Sequence, residues 1–526
     1  MFNLFFEIYS EEVANNIQGI GARKIYTSVT QKLEKLFKIN LNGSYFFTLK
    51  RIGFAIENVP KIVKKNELYI KGPKILSSRI EINGFLKKAM LKNVSSLIQD
   101  NDHYYYNKKF EKECSKNPIR AIIELVITKF IWQKSMRWGT SKIRWIRPIR
   151  SMLCLFNNEV LPVTFGHIVA SDKIYCKDSI DKITSFNQYK KILKGNDINI
   201  LQEERIKIIK QKAQEVCDLY HIMLIKNDDI IRDISNLVES PYVALGVIEK
   251  KFMKLPKEVL ISTLKIHQKY ILTQDIKGNL APYFIMVSNI MTNDKLKLVI
   301  KGNEKVVKSR LADAAYFYNQ DLKIRLIDKF KKLKNLMFHH SIGSYEKRIK
   351  DIQSTALNIA RKLDINDKEK IVLMSKLIKS DLVSHIVREM PELQGIAGYY
   401  YAIANGESID VANAIKEHYL PQGPNDPVPS NIFSIIMSLA DKIVLLNSMF
   451  NINIRPTGSK DPYALRRAAI GIIRIVCSNK LYINLADLID TNVLSFIKER
   501  IRILSNKENN IYSINLKYIE YSLSIV

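Results

Sequence analysis

Arg455-Pro456-Thr457-Gly458-Ser459-Lys460-Asp461-Pro462-Tyr463-Ala464-Leu465-Arg466-Arg467-Ala468-Ala469 reads as a loop running into a helix. Asp461 is a favoured N-cap type and Pro462 suits the first helical position, so the helix is predicted to start there. Helical spacing then puts Leu465, Ala469, Ile472 and Val476 on one face and Tyr463, Arg467, Gly471 and Arg474 on another. The first stripe is a core face. The second carries two arginines and, at Gly471, no side chain, which admits a phosphate backbone at close range. A solvated basic face on an ordinary core helix has the same pattern. Lys460 and Arg466 add to the positive charge of this segment, although Arg466 projects less well onto the basic face than Arg467 does.

Upstream of this segment, helices accumulate. From about residue 322, Leu326, Phe330, Leu333 and Leu336/Met337 recur at helical spacing, with Lys329, Lys331, Lys332 and Lys334 as a solvated face. Residues 346–365, 369–388 and 408–419 also read as helices, the last capped by Ser408 and ended by Pro421. Residues 421–430 are Pro-rich and read as an ordered loop. The first part of the chain differs. Residues 3–9 read as a buried strand, followed by a helix with Ile25, Val29, Leu33 and Leu36 on one stripe. Ser44 to Val59 suggests two strands around Gly53, and Gly195-Asn196-Asp197 a turn before a helix around Leu201 to Leu219. The expected fold class is multidomain α+β: a mixed α/β N-terminal region, a mainly helical domain and a helical C-terminal region. The expected divisions are 1–155, 156–325, 326–455 and 456–526.

Hydrophobic residues make up 47% and charged residues 25% of the 526, a globular composition. The 82 Lys and Arg exceed the 52 Asp and Glu, for a net charge of +30, a field that attracts a polyanion such as a folded RNA. Crowding of Lys, Ile and Asn offers a second source of that charge, the coding bias of an AT-rich genome. Cys114, Cys154, Cys176, Cys217 and Cys477 form no C-x-x-C pair, which disfavours a zinc ribbon or a disulfide framework and fits a reducing cytosol. The N-terminus lacks the basic start of a signal peptide. Ala121 to Trp132, read as the most apolar long stretch, is broken by Glu124 and Lys129 and is too short to span a bilayer. A soluble, cytoplasmic protein is expected, with no membrane partner.

Few segments offer self-sufficient chemistry. Gly19-Ile20-Gly21-Ala22-Arg23-Lys24 approaches a phosphate loop but lacks the Walker spacing and the following Ser or Thr. Met374-Ser375-Lys376 reads as helix interior. Asp381 and His385 stand at i,i+4 on a predicted helix and, with His418 and Asp441, have the residue types of an HD-type metal phosphohydrolase site. That chemistry needs an adjacent His-Asp pair, and here the pair reads Ser380-Asp381. His267-Gln268-Lys269-Tyr270 ends a helix that begins after Pro256, with no nucleophile and base set beside it. Arg137-Trp138-Gly139 and Arg144-Trp145-Ile146-Arg147-Pro148 interleave cations and indoles, which suits stacking on RNA and equally suits the edge of a core. No catalytic residue and no cofactor is assigned to this chain.

Taken in order, several segments resemble one family, the beta subunit of the bacterial heterotetrameric glycine–tRNA ligase. The resemblance starts at Phe6-Glu7-Ile8-Tyr9-Ser10-Glu11-Glu12 and runs through Lys50-Arg51-Ile52-Gly53, Lys71-Gly72-Pro73, Met136-Arg137-Trp138-Gly139, Arg147-Pro148-Ile149 and Phe165-Gly166-His167. It is densest from Leu255-Pro256-Lys257-Glu258 with His267-Gln268-Lys269-Tyr270 to Ser309-Arg310-Leu311-Ala312-Asp313-Ala314. It continues through Pro391-Glu392-Leu393-Gln394-Gly395, Glu417-His418-Tyr419-Leu420-Pro421, Ala440-Asp441-Lys442 and the opening segment, to about residue 505.

The resemblance implies a subunit that binds tRNA(Gly) and positions it, lowering the entropic cost of placing a large substrate. ATP, Mg and the class II active site would belong to an alpha subunit, in a complex of two alpha and two beta chains. It also implies that the helical middle is a degenerate HD-like domain. Arg137, Arg144, Arg147, Lys460, Arg466, Arg467 and Arg474 are the expected tRNA contacts. Tyr9-Ser10 and Val13-Ala14 depart from the family's Gly-Thr and Leu-Pro. Family members normally continue for roughly another domain, so the C-terminal region is expected to be a shortened start of an anticodon-binding-like domain. Discrimination is then expected to fall on the acceptor stem.

Overall fold

The apolar run Leu4-Phe5-Phe6 near the N-terminus follows from a strand buried on both faces. The computed structural model describes all residues except 1, 64–67, 92, 101, 109–112, 140–141, 177–178, 459, 506–518, 520 and 523–526. Strand β1 (Phe2–Ser10) is followed by helix α1 (Asn15–Phe37), β2 (Gly43–Phe47) and β3 (Arg51–Glu57). Helix α2 (Lys116–Lys129) precedes β4 (Ile149–Phe156) and β5 (Glu159–Val160). These strands form one sheet in the order β5-β4-β1-β3-β2, with β1 antiparallel to both neighbours. Leu4, Phe6 and Ile8 face a core shared with Ala22, Ile25, Val29 and Leu33 of α1 and Ile119, Ile123 and Ile127 of α2. Phe5 faces the other way, toward Phe186, Tyr189 and Leu193 of helix α3 (Phe186–Gly195). Helix α4 (Gln202–Leu219) follows the expected turn.

Gly53 is not the turn between β2 and β3 but lies inside β3. A Cβ there would sit 2.3 Å from the Phe46 ring and 2.5 Å from the Phe6 carbonyl oxygen, so the residue is small because two neighbours approach its backbone. Between β3 and α2, Leu68–Lys74, His103–Lys108 and Ile98–Asp100 form a small sheet. Leu86, on the helix Arg79–Ala89, joins Leu97 and Tyr104 in a separate minor core.

The chain divides into two units, one made of residues 1–245, 269–278 and 285–299 and the other of 246–268, 279–284 and 300–526. In the second unit a single apolar cluster gathers residues from Val259 to Ile519. After α5 (Lys297–Leu322), its main helices are α6 (Tyr345–Lys362), α7 (Lys368–Leu377), α8 (Ile396–Ala404), α9 (Ile409–Glu417), α10 (Ile432–Asn451), α11 (Leu465–Ser478) and α12 (Thr491–Ser505). Ser408 caps α9 as expected, its side chain accepting from the Val411 amide. Among the described residues the long apolar helix is α10, and not the segment 121–132. It is long and apolar enough to cross a membrane, but it lies at the centre of this core, with Ile436, Leu439, Ala440 and Ile443 fully buried.

Two expected divisions cut through packed structure. The one at 155/156 falls inside β4, and Leu161, Val163, Phe165 and Ile168 complete the same core as α1 and α2. The one at 455/456 separates α11 from a core to which it contributes Leu465, Ala469, Ile472 and Val476. The stretch expected as one helix over 369–388 is α7, then a tight 3₁₀ turn (Ser380–Val383) and a short helix (His385–Glu389).

Candidate nucleic-acid interface

The seven expected RNA contacts fall into two groups, one in each unit. Arg137 and Arg144 lie inside a loop that a backbone pair closes, Met136 N–H to Trp145 O at 2.8 Å and Trp145 N–H to Met136 O at 3.1 Å, and Arg147 follows just beyond that pair. Closure turns neighbours in opposite directions. Trp145 is fully buried, edge-on to Trp132 and Phe165, while all three arginines are exposed. The Trp145 indole is therefore core, and Trp138 packs half-buried against the same cluster, so of the two readings of the Arg/Trp run the core-edge reading holds for its indoles. Arg144 donates to the Ser135 hydroxyl and carbonyl at 3.1 and 3.0 Å, and Arg147 to the Glu12 carbonyl at 3.1 Å. Neutral partners fix these guanidiniums in place, and no acid pairs with them among the described residues.

In the second unit the helix starts three residues later than predicted. Thr457 and Lys460 exchange both backbone hydrogen bonds around Gly458, a tight turn that presents Lys460 to solvent. Ala464 is the residue before the helix, in the left-handed conformation at φ 56°. Asp461 still caps, across the turn: its two carboxylate oxygens accept from the Leu465 and Arg466 amides at 2.8 and 3.0 Å. An anion over the first amides stabilises the helix start by capping and by its dipole. Leu465, Ala469, Ile472 and Val476 are buried as the periodicity required, and Arg467 is exposed with Arg466 half-buried beside it.

Arg474 and Gly471 serve the fold. Arg474 donates to the Gly423 and Asp426 carbonyls at 2.8 and 2.6 Å and so holds the Pro-rich loop 421–430 against α11. A Cβ on Gly471 would meet the Lys442 side chain at 2.7 Å, so the missing side chain accommodates a buried lysine, not an incoming phosphate.

The four residues of the HD-type reading are not brought together as ligands. Asp381, in the 3₁₀ turn, is buried, whereas His385 opens the next helix and is exposed, its ring stacked on Phe317. Asp441 accepts from Arg348 at 2.7 Å and from Lys379 at 2.9 Å. Burial works to raise the Asp441 carboxyl, but Lys379 and Arg348 together hold it well below the usual carboxylate range. The Lys379 ammonium lies over the Tyr419 ring, and burial pulls it down to about 8 against the attraction of Asp441. Burial likewise pushes the Asp381 carboxyl up to about 6, although one of its oxygens accepts from the Gly395 and Gly398 amides. His418 is buried, and burial holds its imidazole well below its ordinary value; its Nδ1–H donates to the Ile415 carbonyl at 2.7 Å. A lysine ammonium thus sits among Asp381, His418 and Asp441. Among the described residues no three His, Cys, Asp or Glu side chains converge as metal ligands would.

Reading the sequence missed these buried cations. Lys442 is enclosed by the Leu420 carbonyl at 2.7 Å and the Ser438 hydroxyl at 2.8 Å, and burial brings its ammonium down to about 7. The available signal was the Asp441-Lys442 pair inside a long apolar helix, since charges there must find partners. In the first unit Arg51 is equally enclosed, donating to both Glu7 oxygens at 3.2 Å. The Gly19–Gly21 segment lies inside α1, under the Phe47 and Trp132 rings, so it forms no phosphate loop.

A family profile described as "Glycyl-tRNA synthetase beta subunit" matches residues 4–518. The chain is 39% identical to the glycine–tRNA ligase beta subunit of Rickettsia canadensis (strain McKiel), over 98% of this chain and 79% of that one. It is 37% identical to the protein of the same name from Rickettsia bellii (strain OSU 85-389), over 99% and 82%. With Rickettsia typhi the figures are 38%, 98% and 80%. Similarity of this extent, from residue 4 to 518 and over nearly the whole chain, places the chain in the glycyl-tRNA synthetase beta-subunit family.

Proposed function

We propose that this chain binds tRNA(Gly) and presents its acceptor end to a separate alpha subunit, which activates glycine with ATP and Mg. The observation that carries this reading is the family match from residue 4 to 518. Cations that no acid pairs among the described residues support it: exposed Lys460 and Arg467 with half-buried Arg466 at the start of α11, and exposed Arg137, Arg144 and Arg147 around the Met136–Trp145 pair of the first unit. Each contact between a guanidinium and a phosphate contributes about 1.5–3 kcal/mol. The net charge of +30 speeds encounter with a polyanion. The complex would contain two alpha and two beta chains and act in the cytoplasm.

The test is glycylation of tRNA(Gly) by purified alpha subunit with and without this chain. The expected result is activity only from the mixture. Glycylation by this chain alone, or an alpha subunit equally active without it, refutes the proposal.

A further inference from the structure

In the first unit, helices α1 and α2 leave a groove of about 800 Å³ on the side of α1 away from its buried stripe. From α1 it is lined by Ile20, Lys24 and Lys32, with Arg23 beside them, a row about 18 Å long at 1.5 Å per residue. The other wall carries Leu125, Lys129 and Ile131. Two properties coincide here. Val126 and Phe130 also line it, and its aliphatic residues nearer the surface are open to solvent: Ile131 is 90%, Ile20 56% and Leu125 40% exposed. The rim is cationic, and no Asp or Glu lines the groove among its described residues.

Single exposed aliphatic residues are ordinary, but several along one groove mark a surface that another molecule covers. An RNA phosphate track would use the four cations and leave the isoleucines and the leucine wet. An amphipathic helix lying lengthwise uses both, with aliphatic anchors on the floor and carboxylates against Arg23, Lys24, Lys32 and Lys129. The length of the groove matches about three turns of such a helix.

We infer that this groove is a docking site for an acid-flanked amphipathic helix of the alpha subunit. The inference rests on the proposed function for the existence of that partner, and adds where and by what chemistry it is held. Aliphatic anchors govern how long the complex lasts, while rim charges govern how fast it forms.

The experiment measures affinity and association rate of the full chain for purified alpha subunit, and separately for tRNA(Gly). The double variant Ile20→Glu with Ile131→Glu is expected to weaken alpha binding about tenfold or more, the scale of losing one interface hot spot. Lys24→Glu with Lys129→Glu is expected to slow association at low salt, an effect that shrinks as salt rises. The conservative change Ile131→Leu keeps binding, and because Ile131 is so exposed its substitution leaves the melting temperature in place. Unaltered alpha binding by both double variants overturns the inference. So does a loss of tRNA affinity with alpha affinity intact, which would make the groove an RNA contact. Wild-type chain that binds tRNA but never the alpha subunit would sink the proposed function and the docking site together, an outcome visible before any variant is made.

Discussion

Asp441→Asn tests the buried charge cluster of the second unit. Asparagine keeps the shape and removes the charge, leaving Arg348 and Lys379 enclosed around a neutral group that offers one acceptor where two stood. Removing one partner from a buried ion pair costs about 3–5 kcal/mol, because the remaining charge stays desolvated. For a folding unit of roughly 150–250 residues each kcal/mol moves the melting temperature by about 2–4 °C, so the expected drop at pH 7 is of the order of 10 °C. The pH dependence carries a second signature. The folded-state value of Lys379, about 8, lies below that of a free lysine. The unfolded chain therefore binds more protons between about pH 8 and 10, and stability from this group rises with pH across that window. Without Asp441 the ammonium loses its main attraction, and the window opens at lower pH. Thermal melting by far-UV circular dichroism from neutral to alkaline pH measures both effects. A variant that melts within about 2 °C of wild type at pH 7 would refute the reasoning, because it would mean that the two cations find water or another anion.

Asp381 titrates in the opposite direction. Its folded-state value of about 6 lies above the usual 3.8, so its contribution is complete below about pH 4 and fades as pH rises through 6; Asp381→Asn should flatten the melting temperature over that interval. Arg474→Ala frees the loop carbonyls of Gly423 and Asp426 and is expected to cost about 2 kcal/mol of stability without changing the salt dependence of tRNA binding; a change in salt slope would return Arg474 to the interface. Arg466→Glu with Arg467→Glu should weaken tRNA binding by about tenfold or more, with Arg467 as the larger contributor because it is the more exposed; unchanged affinity removes both from the interface.

Local pattern settled much of this protein. The stripe Leu465, Ala469, Ile472 and Val476, the stripe Ile25, Val29 and Leu33, the buried first strand and the Ser408 cap could all be read in the chain, because each depends on spacing within a few residues. The chain in order also disclosed its family, since many short segments in one sequence leave few alternatives. The fate of charges did not lie in the sequence. Arg474 looked like a phosphate ligand until a loop about fifty residues upstream supplied two carbonyls. Trp145 looked like a stacking platform until Trp132 and Phe165 enclosed it. Asp441 looked like a metal ligand until Arg348 and Lys379 claimed both its oxygens. Whether a polar side chain is a tool or a strut depends on which partner meets it in the folded state, and partners that come from distant parts of the chain leave no periodicity to read.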